Sequence, residues 1–261
     1  MSSLRLFFVG GLTSYRALFG WLSPWILVPT FMLTPIFQIL FFVYVGRAAN
    51  VEDDSFFLVG NAMVNAAVPC LFAMGNAIGG ERMSGTLPLV MVSPARRVPL
   101  FLGRALPVIL NGFLVAVFAL AAGATLLRIH IPAAAWGGIA LAIAVSSMSC
   151  TGLGLLGAAI ALRVRETAVM SNIIMGLLLV FAGVNVPTDV LPHWMRNVAN
   201  ALPMTHGIRA TRGLISGGSF GAAGRELLWE FALGALYAAL GLSTLRWLEW
   251  ESRRKATLDT A

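Results

Sequence analysis

Six apolar runs dominate the chain, at residues 21–46, 56–78, 100–127, 135–162, 168–186 and 227–248. Each is near the roughly 20 residues needed to cross a bilayer core as a helix. The pattern predicts six spanning helices joined by short polar connections. Residues 4–19, LRLFFVGGLTSYRALF, follow a different rhythm: Leu4, Phe8, Leu12, Tyr15 and Phe19 share one helical face, and Arg5, Thr13 and Arg16 lie on another. That arrangement predicts a helix over residues 1–20 lying in the membrane surface with its basic groups toward anionic head groups. The alternative is that this stretch simply begins the first span.

A second amphipathic stretch interrupts the series before the last span. In LPHWMRNVANALPMTH, residues 191–206, apolar positions Leu191, Trp194, Met195, Val198 and Leu202 recur at helical spacing, and Pro192 and Pro203 mark the ends. About three turns is half of a crossing. A second short helix is expected over 205–216, where Ile208, Thr211 and Ile215 share a face; Thr205 is the expected N-cap and Gly217-Gly218 the stop. The pair over 187–218 either enters the membrane and turns back or lies flat on its surface.

Composition agrees with a membrane-embedded chain. Of 261 residues, 58% are hydrophobic and only 11% charged, against about 25% charged in a soluble domain; mean hydropathy is +0.84. The fold class expected is therefore all-α integral membrane, a single transmembrane domain over 1–261. The net charge of +7 comes from basic residues scattered in loops beside the apolar runs, which is how topology is encoded rather than how nucleic acid is bound. With the N-terminus placed in the cytoplasm, twelve of the 18 basic residues fall inside and six outside, so both termini are expected to be cytoplasmic and the 187–218 segment external. No cleaved signal peptide is expected, and Cys70 and Cys150, both inside apolar runs, read as small core hydrophobes.

The chemistry that is missing narrows the function. The sole lysine is Lys255, in the C-terminal tail, so no G-x-x-x-x-G-K-[ST] phosphate loop exists and the chain does not hydrolyse ATP by that route. His130, His193 and His206 lack neighbours at metal-ligand spacing, and Ser84 lacks a partner base. No cofactor and no metal are expected in this chain. Polar groups at membrane depth are Gln38, Asn61, Asn65, Asn76, Asn111, Asn172 and Asn185; each is costly against lipid, so each is a candidate for a pathway or for a hydrogen bond between helices. Acidic residues fall at span ends or in loops apart from Glu230, which argues against a proton-coupled secondary transporter. The connection over 80–97 is longer than a plain turn requires and its middle, LPLVMV, is apolar; it either docks on a partner or rests on lipid.

Two segments carry a family resemblance. GERMSGTLPLVMVSPARRVPLFLGRALP resembles the stretch after the second span in membrane subunits of type-2 ATP-binding-cassette exporters, with their E-R-x-x-G-T-L and S/T-P-x-R/S elements. VNVPTDVLPHWMRNVANALPMTHGIRATRGLISGG resembles the signature before the last span: L-P-x-W-[LM]-R, then L-P-[LM]-T-H, then R-x-L-[IL]-x-G-G. Spans and loops follow the family's order over nearly the whole chain. Drug-resistance and nodulation-factor export permeases are the subgroup it looks most like.

The resemblance implies a permease subunit without its own motor. ATP and magnesium would be bound by separate ATPase subunits, and a second permease copy, identical or paralogous, would pair with this one. Glu81, Arg82, Gly85, Thr86, Pro94, Arg96 and Arg97 would form the cytoplasmic coupling surface. Pro187, Leu191, Pro192, Trp194, Arg196, Pro203, Thr205, His206 and Arg212 would form re-entrant helices capping an external exit. Pathway candidates are Gln38, Asn65, Asn76, Asn111, Asn172 and Asn185. The location implied is the bacterial cytoplasmic membrane, and the cargo expected is an amphipathic, antibiotic or lipid-like molecule, with a lipid-linked glycan as runner-up. A motor-free channel or secondary transporter is the competing reading.

Overall fold

The computed structural model describes residues 24–83, 97–164 and 167–255. Among them are eight α-helices, one 3-10 turn over Thr188–Val190 and no strand. We number the helices α1 (Pro24–Ala49), α2 (Asp54–Met83), α3 (Arg97–Leu127), α4 (Ala135–Val164), α5 (Thr167–Phe181), α6 (His193–Ala201), α7 (Thr205–Ile215) and α8 (Phe220–Lys255). The surface helix expected over 1–20 lies outside the described residues.

Five helices, α1 to α4 and α8, are long and apolar enough to cross a membrane. The chain is an all-α integral membrane protein. α2 and α4 form its centre: α4 packs against α8, α2, α3 and α5, and α2 packs against α3, α1 and α5 as well. Ile39, Leu58, Met63, Leu71, Leu120, Ile139 and Ile143 fill the interior. Cys70 and Cys150 are both buried and unpaired, as expected of small core residues.

The fifth expected span departs from the prediction. The apolar run was read as one helix over 168–186, but α5 has only 15 residues, or roughly 22 Å of rise. The helix stops after Phe181, and Gly183 adopts a left-handed φ of 79° that an L side chain disfavours. Hydropathy missed the break because Ala182, Val184 and Val186 stay apolar. Ala182, Gly183 and Val184 are nonetheless buried, which is the condition under which non-helical backbone is tolerated at membrane depth.

Helix bounds elsewhere move outward. α2 continues through Gly79 and Gly80 to Met83, so residues 80–83 of the connection expected over 80–97 are helical. Glycine disfavours a helix interior by about 1 kcal/mol, which made the Gly pair look like an end; the backbone hydrogen bonds of the continuing turn outweigh that. α8 runs for 36 residues and begins ahead of the expected 227.

α2 passes the broken end of the fifth span so closely that only glycine fits. A Cβ at Gly60 would sit 2.1 Å from the Val184 carbonyl oxygen. Gly60→Ala should therefore lower stability by about 1–3 kcal/mol, the usual cost of overpacking, seen as an earlier thermal melt of the detergent-purified chain. Gly176→Ala, on α5 with no atom near its Cβ position, should hold the melt or raise it, because alanine is favoured over glycine in a helix interior by about 1 kcal/mol. Equal melts for the two variants would contradict the close approach.

Candidate functional site

The short helices before α8 form a hairpin that turns back inside the bundle. α7 is buried along Thr205, His206, Gly207, Ile208, Ala210, Thr211 and Leu214, and it packs on α8, α4 and α2. Its C-terminal end lies beside the start of α2, where the Arg212 side chain bonds the Phe56 carbonyl. The bend at Leu202–Met204 lies farther along α8: the Met204 N–H donates to Glu230 and the Tyr237 hydroxyl donates to the Ala201 carbonyl at 2.8 Å. Those contacts fall ten and seventeen residues beyond the first residue of α8, roughly 15–25 Å along its axis. Within the pair, α7 is the enclosed member, while α6 keeps Ala199 alone buried.

Why the hairpin can bend at depth is visible in its hydrogen bonds. A helix N-terminus leaves backbone donors unpaired and carries partial positive charge. At α7 both are met by the Glu230 carboxylate from α8, whose Oε1 accepts the Met204 N–H at 2.5 Å and whose Oε2 accepts the Gly207 N–H at 3.1 Å. Thr205, expected to be the N-cap, is instead the first helical residue, and Met204 takes the cap position with φ 73°. A charged acceptor from a neighbouring helix is the stronger cap, and the Thr205 hydroxyl makes no hydrogen bond. The far end closes as expected: Gly217 has φ 83°, and its N–H and that of Gly218 return to the Leu214 and Gly213 carbonyls, the pattern of a glycine C-cap.

His206 links both hairpin helices to α8. Its Nδ1 lies 2.6 Å from Glu226 Oε2, and its Nε2 lies 3.1 Å from the Asn200 carbonyl. A carbonyl only accepts, so Nε2 donates to Asn200 and the other ring nitrogen faces the Glu226 carboxyl.

The broken end of the fifth span is fastened by Arg212. Its guanidinium donates to the Phe56 carbonyl at 2.9 Å and the Val184 carbonyl at 3.2 Å, and lies 3.5 Å over the Phe56 ring. Arg209 donates to the Thr188 hydroxyl, and Arg196 to the carbonyls of Asp189 and Leu191. Arg212 and Arg196 thus satisfy carbonyls, and Arg209 a hydroxyl, of a segment whose one helical turn is Thr188–Val190. Among the expected residues here, Pro203, Thr205 and His206 are buried, Pro187, Leu191, Arg196 and Arg212 half-buried, and Pro192 and Trp194 exposed.

Polar residues at membrane depth divide into two groups. Gln38 on α1 donates to Asn61 on α2 at 3.2 Å, and Asn61 donates to Asn185 of the broken segment at 3.0 Å. This carboxamide chain ties three elements together. Asn65 donates to the Asn61 carbonyl within its own helix, and Asn172 does the same toward Ala168. Asn76 and Asn172 are exposed and Asn111 is half-buried; none of the three joins the Gln38–Asn61–Asn185 chain.

Of the expected coupling residues, three are described, and they fall at the other end of the bundle. Glu81 and Arg82 lie in the last turn of α2 and Arg97 opens α3; only their backbone is described. Gly85, Thr86, Pro94 and Arg96 lie outside the described residues.

Sequence reasoning passed over Glu226, Glu230 and Tyr237, which hold the hairpin. One signal was available: Glu230 is a lone carboxylate in an apolar span, which calls for a specific partner. Its partner is backbone 23 to 26 residues earlier, beyond the reach of spacing.

Arg212→Ala removes a donor from the Phe56 and Val184 carbonyls; Val184, outside any helix, is left unpaired at a cost of about 1–3 kcal/mol. The variant should melt earlier and become cleavable by protease between residues 182 and 192. A melt and cleavage pattern matching the parent would contradict the fastening role.

No curated protein matches the chain. The family model described as ABC-2 type transporter matches residues 12–215, well over half of its length. In that family the matched chain is the membrane component, and ATP is hydrolysed by a separate ATP-binding subunit. This sets aside the motor-free channel and the secondary transporter. The chain belongs to the ABC-2 type transporter family, as the membrane component of an ABC transporter that works with an ATP-binding partner.

Proposed function

We propose that this chain is the permease of an exporter that moves an amphipathic or lipid-like molecule, an antibiotic or a glycolipid, out of the cytoplasm or inner leaflet of a bacterial cytoplasmic membrane. The observation that carries the reading is the hairpin, whose α7 is buried at one end of the helix bundle. With twelve basic residues on the opposite side against six on this one, the hairpin end faces outside and both termini face the cytoplasm. The hairpin then acts as an exit gate. Its subgroup would be the drug-resistance and nodulation-factor export permeases.

The motor would act from the other end. ATP-driven closure of the partner subunits would push on residues 80–97, with Glu81, Arg82, Arg96 and Arg97 as the coupling surface, and on the surface helix expected over residues 1–20. Pairing with a second permease copy fits the surface of α1, α2 and α5. Phe37, Phe41 and Tyr44 are exposed on α1, and the Asn76 and Asn172 carboxamides are exposed on α2 and α5. Carboxamides at membrane depth are costly against lipid and call for a protein or water neighbour.

The cargo class is supported by a cavity of about 230 Å³ lined by α2, α3, α4 and α8. Met74, Ala105, Ile109, Gly152, Phe231 and Ala238 are among its lining residues. An apolar site suits a hydrocarbon tail, while its polar part would follow the Gln38–Asn61–Asn185 chain.

Two experiments test the reading. Glu81→Arg should leave the chain inserted in the membrane, release a co-purifying ATPase subunit and cut transport at least about tenfold, the equivalent of roughly 1.4 kcal/mol of lost coupling. Normal transport and an undiminished ATPase partner would contradict the assignment. Ala238→Trp fills the cavity and should reduce uptake of a fluorescent alkyl-tailed probe into inverted vesicles while ATP hydrolysis continues. Unchanged uptake would remove the cavity from the cargo path.

A further inference from the structure

The two halves of the hairpin are held very differently. α7 is gripped along its whole length. Glu230 holds its N-terminal backbone from α8, Glu226 holds His206, and Arg212 ties its last turn to α2 and to the broken fifth span. α4 presses against it so tightly that a Cβ at Gly207 would lie 1.9 Å from the Ser146 hydroxyl oxygen.

α6 is fixed at one end only. Of its nine residues Ala199 alone is buried, while Trp194 is 60% exposed and Val190, just ahead of it, 70%. Its deep end is tied by the Asn200 carbonyl to His206 and by the Ala201 carbonyl to Tyr237. Toward the other end, the Trp194 ring rests against Phe181 at 6.3 Å, and the Arg196 bonds run to carbonyls of the segment immediately ahead of the helix. Leu202, whose N–H still returns to the Val198 and Ala199 carbonyls, Pro203 and the left-handed Met204 separate the two helices.

We infer that α7 and α8 move as one rigid piece, joined by Glu226 and Glu230, and that α6 is the movable leaf. The leaf swings about its deep end at Asn200 and Ala201, lifting Trp194 off Phe181. Motion of the last span is delivered to the exit through two carboxylates one helical turn apart. Glu230 and Glu226 are positioning residues: they act through backbone N–H groups and His206 and need not touch cargo. The inference rests on the exporter reading above.

The test uses the full chain in nanodiscs with its ATPase subunit. Spin labels at Ser216 and Leu228 report α7 against α8, and labels at Trp194 and Leu228 report α6 against α8. Distances are measured by pulsed electron resonance without nucleotide and with ATP trapped by vanadate. The expected result is a 216–228 distance that holds steady and a 194–228 distance that shifts by more than about 2 Å, the scale of a real rearrangement. A second comparison uses Glu230→Gln, which removes the charge and one acceptor oxygen, and Glu230→Asp, which keeps both. Glu230→Gln should make the 216–228 distance respond to ATP and lower transport several-fold with ATP hydrolysis retained; Glu230→Asp should restore both. A 216–228 distance that shifts in the parent chain, or a Glu230→Gln chain whose distances match the parent's, overturns the inference alone. A parent chain in which neither distance responds to ATP, with its ATPase bound and active, overturns the exporter reading beneath it.

Discussion

Backbone polar groups cannot go unpaired in hydrocarbon, and this constraint shapes the hairpin end of the molecule. An unsatisfied N–H or C=O there costs several kcal/mol. Straight spanning helices meet the requirement internally, but this chain breaks its α-helices between Phe181 and His193, where only a 3-10 turn intervenes, and again between Ala201 and Thr205. Each interruption is repaired by a charged side chain from elsewhere. Glu230 supplies an acceptor for the exposed donors that begin α7, and Arg212 supplies donors for the carbonyls of Phe56 and Val184. Opposite charges do opposite work, and the two lie at opposite ends of one eleven-residue helix.

That division gives α7 an unusual position for a short helix. It is bonded at its start to α8 and at its finish to α2 and the broken fifth span. Isolated helices of this length are marginal in water, so its order comes from those anchors and from packing on α4. The neighbouring α6 has the amphipathic pattern without the same enclosure. A bend between a fixed helix and a weakly held one is where a membrane protein can open a path without exposing bare backbone to lipid.

Much of this was legible in the sequence. Apolar run length placed the spans, and Pro192, Pro203 and Gly217-Gly218 bracketed the short helices to within about two residues. Polarity singled out Gln38 and Asn185, which meet through Asn61. The break after Phe181 was hidden because its residues are as apolar as a helix would be; only Gly183 hinted at it. The cap of α7 was assigned to Thr205 by local rules, and local rules do not include a carboxylate arriving from the next helix. His206 was noticed through a motif, yet its bond to Glu226 depended on how α7 lies along α8. Long-range pairing, rather than element type, is what spacing failed to convey.

The account rests most on a hairpin that enters from the external side and turns back at depth. The direct measurement is side-specific labelling of single cysteines with a membrane-impermeant maleimide, with Cys70 and Cys150 replaced by alanine. Cysteines at Val190 and Ser216, both exposed near the hairpin ends, should react in intact cells, and one at Met204, buried at the bend, should stay protected until the protein is unfolded. Reaction at 190 and 216 only after the cytoplasm is opened would place the hairpin on the wrong side. Reaction at 204 as fast as at 216 would show that it does not enter the membrane at all.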